Sequence, residues 1–302
     1  MKLHQIRDLL AVAEKGSLRA AARHLGLGQP SISRSIRELE RELGAPLLER
    51  RARGTVLTQT GKVFVRRAGV AAAELRKARE EIDQLHGPGE GSVVLACSAV
   101  PQLVLLPEAL RPFRARYPRV QLHVLDAAFP AVEARLKDGS VDLYAGVAPN
   151  VPPGPELVQE VLFHNLRVVV ARHGHPLSRA GSLAELKDAE WVSTSITDVA
   201  DAEFGELFRA HRLPAPRVAA RTAGGTLSLI TLLSSTDLLA IVPRQWTEHA
   251  PLASTLAKIA VREKIAAPPI CLIRRAALPL TPAAEYLSDL MRRASSRHTA
   301  GR

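Results

Sequence analysis

The 302-residue chain carries 41 Lys and Arg against 30 Asp and Glu, a formal net charge of +11, with 46% hydrophobic residues and two cysteines. That length exceeds one average domain and can bury a sizeable core. Two cysteines exclude a disulfide scaffold and suit a reducing cytoplasm, and no run approaches the ~18 apolar residues of a membrane span.

MKLHQIRDLLAVAEKG is amphipathic and broken by charge, which predicts a helix of a folded domain rather than a secretory signal. Residues 16–44 then predict two short helices joined by a tight turn. Ser17 is placed to cap the first, whose apolar face carries Leu18, Ala21, Ala22 and Leu25. Gly26 and Gly28 punctuate the pattern, and Pro30 suits the first turn of a new helix, where its missing N–H costs nothing. Ile32, Ile36, Leu39 and Leu43 predict the buried face of that second helix. Its other side offers Gln29, Pro30, Ser31, Ser33, Arg34 and Arg37 to DNA, with Ser33 and Arg34 expected at base edges in a major groove.

Any small amphipathic hairpin shares those two helices, but the segment after Gly44 is more specific. Beyond APLL, a basic turn between two short extended runs predicts a winged hairpin. Arg50, Arg51, Arg53 and Thr58 would there hold phosphates or a narrow minor groove.

The blocks GSLRAAARHL, QPSISRSIRELERELG and PLLERRARGTVLTQTG, at this separation, resemble the N-terminal domain of the LysR-type transcriptional regulators. Leu48 stands where that family usually has Phe, and Gly28 where it usually has a capping Ser; neither change removes an expected DNA contact. Charge agrees: residues 1–86 hold 17 Lys and Arg against 10 Asp and Glu, a net +7. Such a bias favours a polyanion and makes binding salt-dependent.

The DNA-binding domain is thus expected over residues 1–58 and a linker helix over 59–86. In that helix Phe64, Ala68, Ala71, Leu75, Ala78, Ile82 and Leu85 recur at alternating spacings of 4 and 3. A sustained heptad seam predicts self-association of two chains, hence an inverted-repeat operator in double-stranded DNA. The breaker-rich stretch 87–91 predicts a hinge.

Residues 92–302 alternate strands and helices, an α/β pattern that predicts parallel sheets. Strands are expected at 92–99, 120–127, 141–147, 161–172, 191–195, 218–222, 238–242 and 269–274. Helices are expected at 101–117, 131–137, 198–211, 226–234 and 282–293. The resemblance implies a two-lobed effector domain like a periplasmic binding protein, lobe 1 near 92–161 and 268–302 and lobe 2 near 162–267. It also implies a homotetramer whose ligand alters DNA bending and RNA polymerase recruitment.

Ligands of open α/β sheets sit beyond the C-terminal ends of the strands. That marks Ser98, Ala99, Val100, Pro101 and Gln102, where amides opening a helix would suit a small organic anion. It also marks Tyr144, Gly146 and Val147, then Ser193, Thr194, Ser195 and Thr197, and Thr222, Gly224, Gly225 and Thr226. Ser and Thr before helices are equally ordinary N-caps, and glycines ordinary turns; convergence on one cleft is what favours a ligand.

Enzyme chemistry finds no footing. His173 and His175 lack a third metal ligand at a familiar spacing, Cys97 and Cys271 lie in apolar runs, and no phosphate-binding loop occurs. No catalytic residue, metal or cofactor is expected. The sequence therefore predicts a cytoplasmic, effector-modulated transcription regulator, with a tethered ligand-binding module and an enzyme with a DNA-binding appendage as alternatives.

Overall fold

Local capping shapes the N-terminal head. In α2 (Leu18–Leu25) the Ser17 Oγ accepts the Ala20 N–H at 3.1 Å, and Gly26 closes the helix at φ 65°, a left-handed conformation that a side chain would strain. The computed structural model describes residues 1–51, 54–87, 89–129, 131–193, 198–222, 226–250 and 252–300. It divides into two compact units, Met1–Gly91 with Lys137–Ser140 and Ser92–Leu136 with Val141–Arg302.

In the first unit α1 (Leu3–Lys15), α2 and α3 (Gln29–Leu43) enclose Leu9, Val12, Ala21, Ile32, Ile36, Leu39 and Leu47. Leu43 departs from expectation: it ends the last turn of α3, outside this core, and is 39% exposed. β1 (Leu48–Arg51) and β2 (Gly54–Leu57) pair antiparallel from Leu48↔Leu57 to Arg51↔Gly54. α4 (Gln59–Leu85) comes next, 27 residues and on the order of 40 Å long. Its start is fixed by Thr58, whose hydroxyl accepts the Gly61 N–H at 2.9 Å and donates to the Pro46 carbonyl at 2.7 Å. Only glycine fits at position 61, because a Cβ there would lie 2.1 Å from the Leu47 carbonyl oxygen.

The second unit runs β3 (Gly91–Cys97), α5 (Ala99–Val104), α6 (Leu106–Arg116), β4 (Val120–Asp126), α7 (Glu133–Lys137), β5 (Leu143–Val147) and β6 (Leu157–Arg172). It continues with β7 (Glu190–Ser193), α8 (Asp198–Ala210), β8 (Arg217–Arg221), α9 (Thr226–Ser235) and β9 (Ala240–Pro243). A short 3-10 helix at Arg244–Thr247 precedes α10 (Leu252–Thr255), β10 (Leu256–Ile259), β11 (Ile265–Arg275) and α11 (Pro282–Ala300).

Two expectations are corrected. The helix expected over 101–117 is split at Leu105, because Pro107 has no N–H to continue the ladder. The sheets are mixed rather than parallel. β3 and β5 pair parallel, as do β7 and β8, but the 16-residue β6 is antiparallel to β9, β10 and β11. The order β10-β6-β11-β5-β3-β4, with β9 also on β6, makes one seven-stranded sheet. β6 and β11 are the strands shared by two lobes. One lobe buries Val93, Leu95, Phe113 and Leu287 on one face of its strands and Tyr144 and Leu136 on the other. The other lobe is built similarly, with Val170, Leu229 and Trp246 in one layer and Trp191, Phe208 and Leu183 in the next.

Candidate functional site

The head presents α3 as the sequence expects. Gln29, Pro30, Ser31, Arg34 and Arg37 are exposed and Ser33 is half-buried, while Ile32, Ile36 and Leu39 turn inward at the helical period. Pro30 sits in the first turn, where no intrahelical N–H bond is lost. Arg34 and Arg37 thus lie about one turn apart on the exposed face of the helix. Arg50 and Arg51 belong to β1 beside the wing turn, and Arg53 lies outside the described residues. Thr58 is placed differently from expectation: its hydroxyl serves as the cap of α4 and is satisfied within the protein, so it is not offered to phosphate.

In the second unit a cavity of about 600 Å³ opens between the two lobes, a size ordinary for a small-molecule site. Of the expected residues, Ser98, Ala99, Val100, Val147, Ser193, Thr222 and Thr226 line it. Pro101 and Gln102 do not. Pro101 is buried in α5, and the Gln102 amide donates instead to the Cys97 carbonyl at 2.7 Å and to Asp126 at 3.1 Å. Tyr144 and Gly146 also fall behind the lining. The Tyr144 ring is fully buried, and its hydroxyl would lie 2.3 Å from a Cβ on residue 146, which keeps that position a glycine. Thr194, Ser195, Thr197, Gly224 and Gly225 lie outside the described residues.

The cavity wall also holds residues that strand ends alone do not reveal. Asn165 and Arg167, two apart on β6, share one face of that strand, opposite Ala267 and Ile265 of β11. Trp246, Phe204, Leu207 and Ile241 add apolar surface. Ser98 and Trp246 are 8% and 5% exposed, and neither the Ser98 hydroxyl nor the Trp246 indole N–H has a hydrogen-bond partner. Because α5 is only six residues long, these side chains, more than a helix dipole, supply polarity at the cavity mouth.

Comparison with known proteins decides what this pairing of head and cavity is. Residues 3–62 match the model described as bacterial regulatory helix-turn-helix protein, lysR family, and residues 86–296 match the LysR substrate binding domain. The chain belongs to the LysR family of transcriptional regulators. Among its relatives is the HTH-type transcriptional regulator GbpR of Azospirillum brasilense, 26% identical over 299 residues covering 98% of this chain and 87% of that one. A second GbpR, from Rhizobium radiobacter, is 28% identical over 251 residues, 82% of either chain. The fold resembles that of CbnR, a LysR family transcriptional regulator, in its crystal structure with target DNA: TM-score 0.69, 24% identity, covering 97% of this chain and all of that one.

The regulator's remaining polar motifs are structural. His175 is buried, with Nδ1 accepting the Leu177 N–H at 3.0 Å and Nε2 3.0 Å from the Asp237 carbonyl, so both ring nitrogens are engaged within the protein. Among the described residues no group of three or more His, Cys, Asp or Glu could hold a metal ion, and no helix is long and apolar enough to cross a membrane. Cys97 and Cys271 are free thiols on different strands, fully buried.

Proposed function

We propose that this LysR-type regulator works in the cytoplasm as a homo-oligomer, dimer or tetramer, and reads an inverted repeat with two copies of the head. Gln29, Pro30, Ser31, Ser33, Arg34 and Arg37 meet the groove, with Arg50, Arg51 and Arg53 at the backbone. The single observation that carries the DNA side is the exposed Arg34–Arg37 edge of a helix whose opposite edge is buried. Self-association is supported by the apolar seam of α4, where Leu75, Ile82 and Leu85 are 52%, 57% and 70% exposed. The effector, a small organic anion, binds the cavity between the lobes. The division of labour is then 1–58 for DNA, 59–86 for pairing, 87–91 as hinge and 92–302 for sensing. Contact with RNA polymerase is the proposed output.

A small molecule can change the DNA complex only through different affinities for two arrangements of the protein. Footprinting on the DNA flanking the regulator's own gene, with and without small organic acids, tests both halves. Protection of an inverted repeat that shifts in extent or bend with a ligand is expected; an unchanged footprint at saturating ligand counts against sensing. Arg34→Ala should cost about 1–3 kcal/mol of discrimination and relax one operator position. Undiminished discrimination by that variant would overturn the base-reading role.

A further inference from the structure

We propose that the cavity selects a monocarboxylate with a bulky apolar body, and excludes sugars and polycarboxylates. This rests on the cavity being the effector site and specifies what that site takes.

Four groups define the head of the ligand. The Ser98 hydroxyl and the Trp246 Nε1–H are buried at the cavity and unpartnered, so each lacks an acceptor atom. At Asn165, Oδ1 accepts both the Leu166 backbone N–H at 2.9 Å and the Gln245 Nε2 at 2.9 Å. A backbone N–H is always a donor, so the orientation of this amide is fixed, and its Nδ2 hydrogens are what remains for the cavity. Arg167 lies two residues along the same face of β6 and supplies positive charge. Three neutral donors call for a ligand with concentrated acceptor character, and beside the positive charge of Arg167, which also interacts within the protein, a carboxylate has it.

The apolar part of the wall, beside the hydroxyl residues Ser193, Thr222 and Thr226, defines the body. Val100, Leu207, Leu229, Ile241, Ile265 and Pro268 offer no hydrogen bond from their side chains. A sugar carries more hydroxyls than Ser193, Thr222 and Thr226 can pair, and the remainder would be desolvated against apolar wall, whereas an alkyl or aromatic body gains by leaving water. Further negative charge is opposed by the carboxylates of Asp126 and Glu206, which also line the cavity. Glu206 pairs with Arg209 at 2.6 Å, and Asp126 accepts from the Gln102 amide at 3.1 Å.

The test is thermal denaturation and titration calorimetry of the intact protein with benzoate, cyclohexanecarboxylate and octanoate. Controls are benzyl alcohol, cyclohexylmethanol, octanol, citrate and galactose at equal concentration. At least one monocarboxylate should raise the Tm while its matching alcohol does not. Ser98→Ala and Trp246→Phe each remove a donor that has no partner in the free protein, so neither breaks a hydrogen bond of the fold. Each should weaken the bound acid about tenfold. No shift with any monocarboxylate, or a shift with citrate or galactose, overturns the proposed class. If citrate or galactose binds and the two variants abolish that binding, the cavity remains the effector site although the class is wrong. If a monocarboxylate binds both variants as tightly as the parent, the cavity itself is not the site and both readings fall.

Discussion

The hydroxyl of Tyr144 donates a hydrogen bond to the carbonyl of Val147, 3.0 Å away. It also accepts the Phe129 N–H at 3.3 Å, which ties residues 127–129 to the end of β5. Ala127, Ala128 and Val147 all line the cavity, so one buried phenol holds two parts of its wall. Burial raises its pKa above the ordinary phenol range, keeping the hydroxyl a donor at any working pH. Tyr144→Phe should cost about 0.5–1.5 kcal/mol by removing the hydrogen bonds to two half-buried residues, Phe129 and Val147. Urea denaturation would show the loss, and calorimetry a weaker ligand; unchanged stability would mean that water replaces the phenol.

Gly61→Ala sets two effects against each other. Alanine favours a helix over glycine by up to about 1 kcal/mol. Its Cβ, however, would sit 2.1 Å from backbone that cannot easily yield, the Leu47 carbonyl. Overpacking of about 1–3 kcal/mol should win, giving a less stable head. A rise in the denaturation midpoint of the variant would refute the close approach of α4 to residue 47.

For the α4 seam, Leu75→Lys and Ile82→Lys should each raise the dimer Kd at least about tenfold, or about 1.4 kcal/mol. Both side chains are more than half exposed in the single chain, so the folded monomer should lose little. Sedimentation velocity across a dilution series reads the effect. An unaltered association constant in both variants would place the pairing surface elsewhere.

The thiols of Cys97 and Cys271 are each pushed up to about 12 by burial, against ~8.5 for a free thiol. Native protein at pH 8 should therefore resist a thiol reagent, and both cysteines should react once it is unfolded. The raised values also fix a pH dependence. Below ~8.5 both states hold their thiol protons and the contribution is complete; above it the unfolded chain ionises first, and stability falls until pH reaches about 12. Rapid labelling of the native protein would sink this prediction.

The head was legible because its signals are local. A serine before Leu18, a glycine at 26 and apolar residues three and four apart act within one or two turns, and the structure places each as read but Leu43, which falls at the fringe of the last turn. The relatives supply what periodicity cannot, that this head reads DNA within a LysR regulator. The cavity was half legible. Strand ends pointed to Ser98, Val147, Ser193 and Thr222, but Asn165 and Arg167 sit in mid-strand, where only β6 running between the lobes gives them a cavity to face. Likewise Tyr144 looked like a lining residue because position in sequence does not reveal which side of β5 is wet. Pro107 was the visible signal for the break at Leu105, overridden by apolar spacing that continued across it.

The ladder between β6 and β11 shifts register between Ala267 and Ile270, at Pro268 and Pro269. β6 is laced to β11 on both sides of that point; on one side β11 is laced also to β5, and on the other β6 is laced also to β9 and β10. Two prolines lack the N–H groups that would stiffen the join. A swing about this point would cost fewer rungs than sliding, which would break pairings on either side. Pro268 itself faces the cavity. A molecule seated in the cavity would therefore touch the join between the lobes directly, and not the two lobes alone.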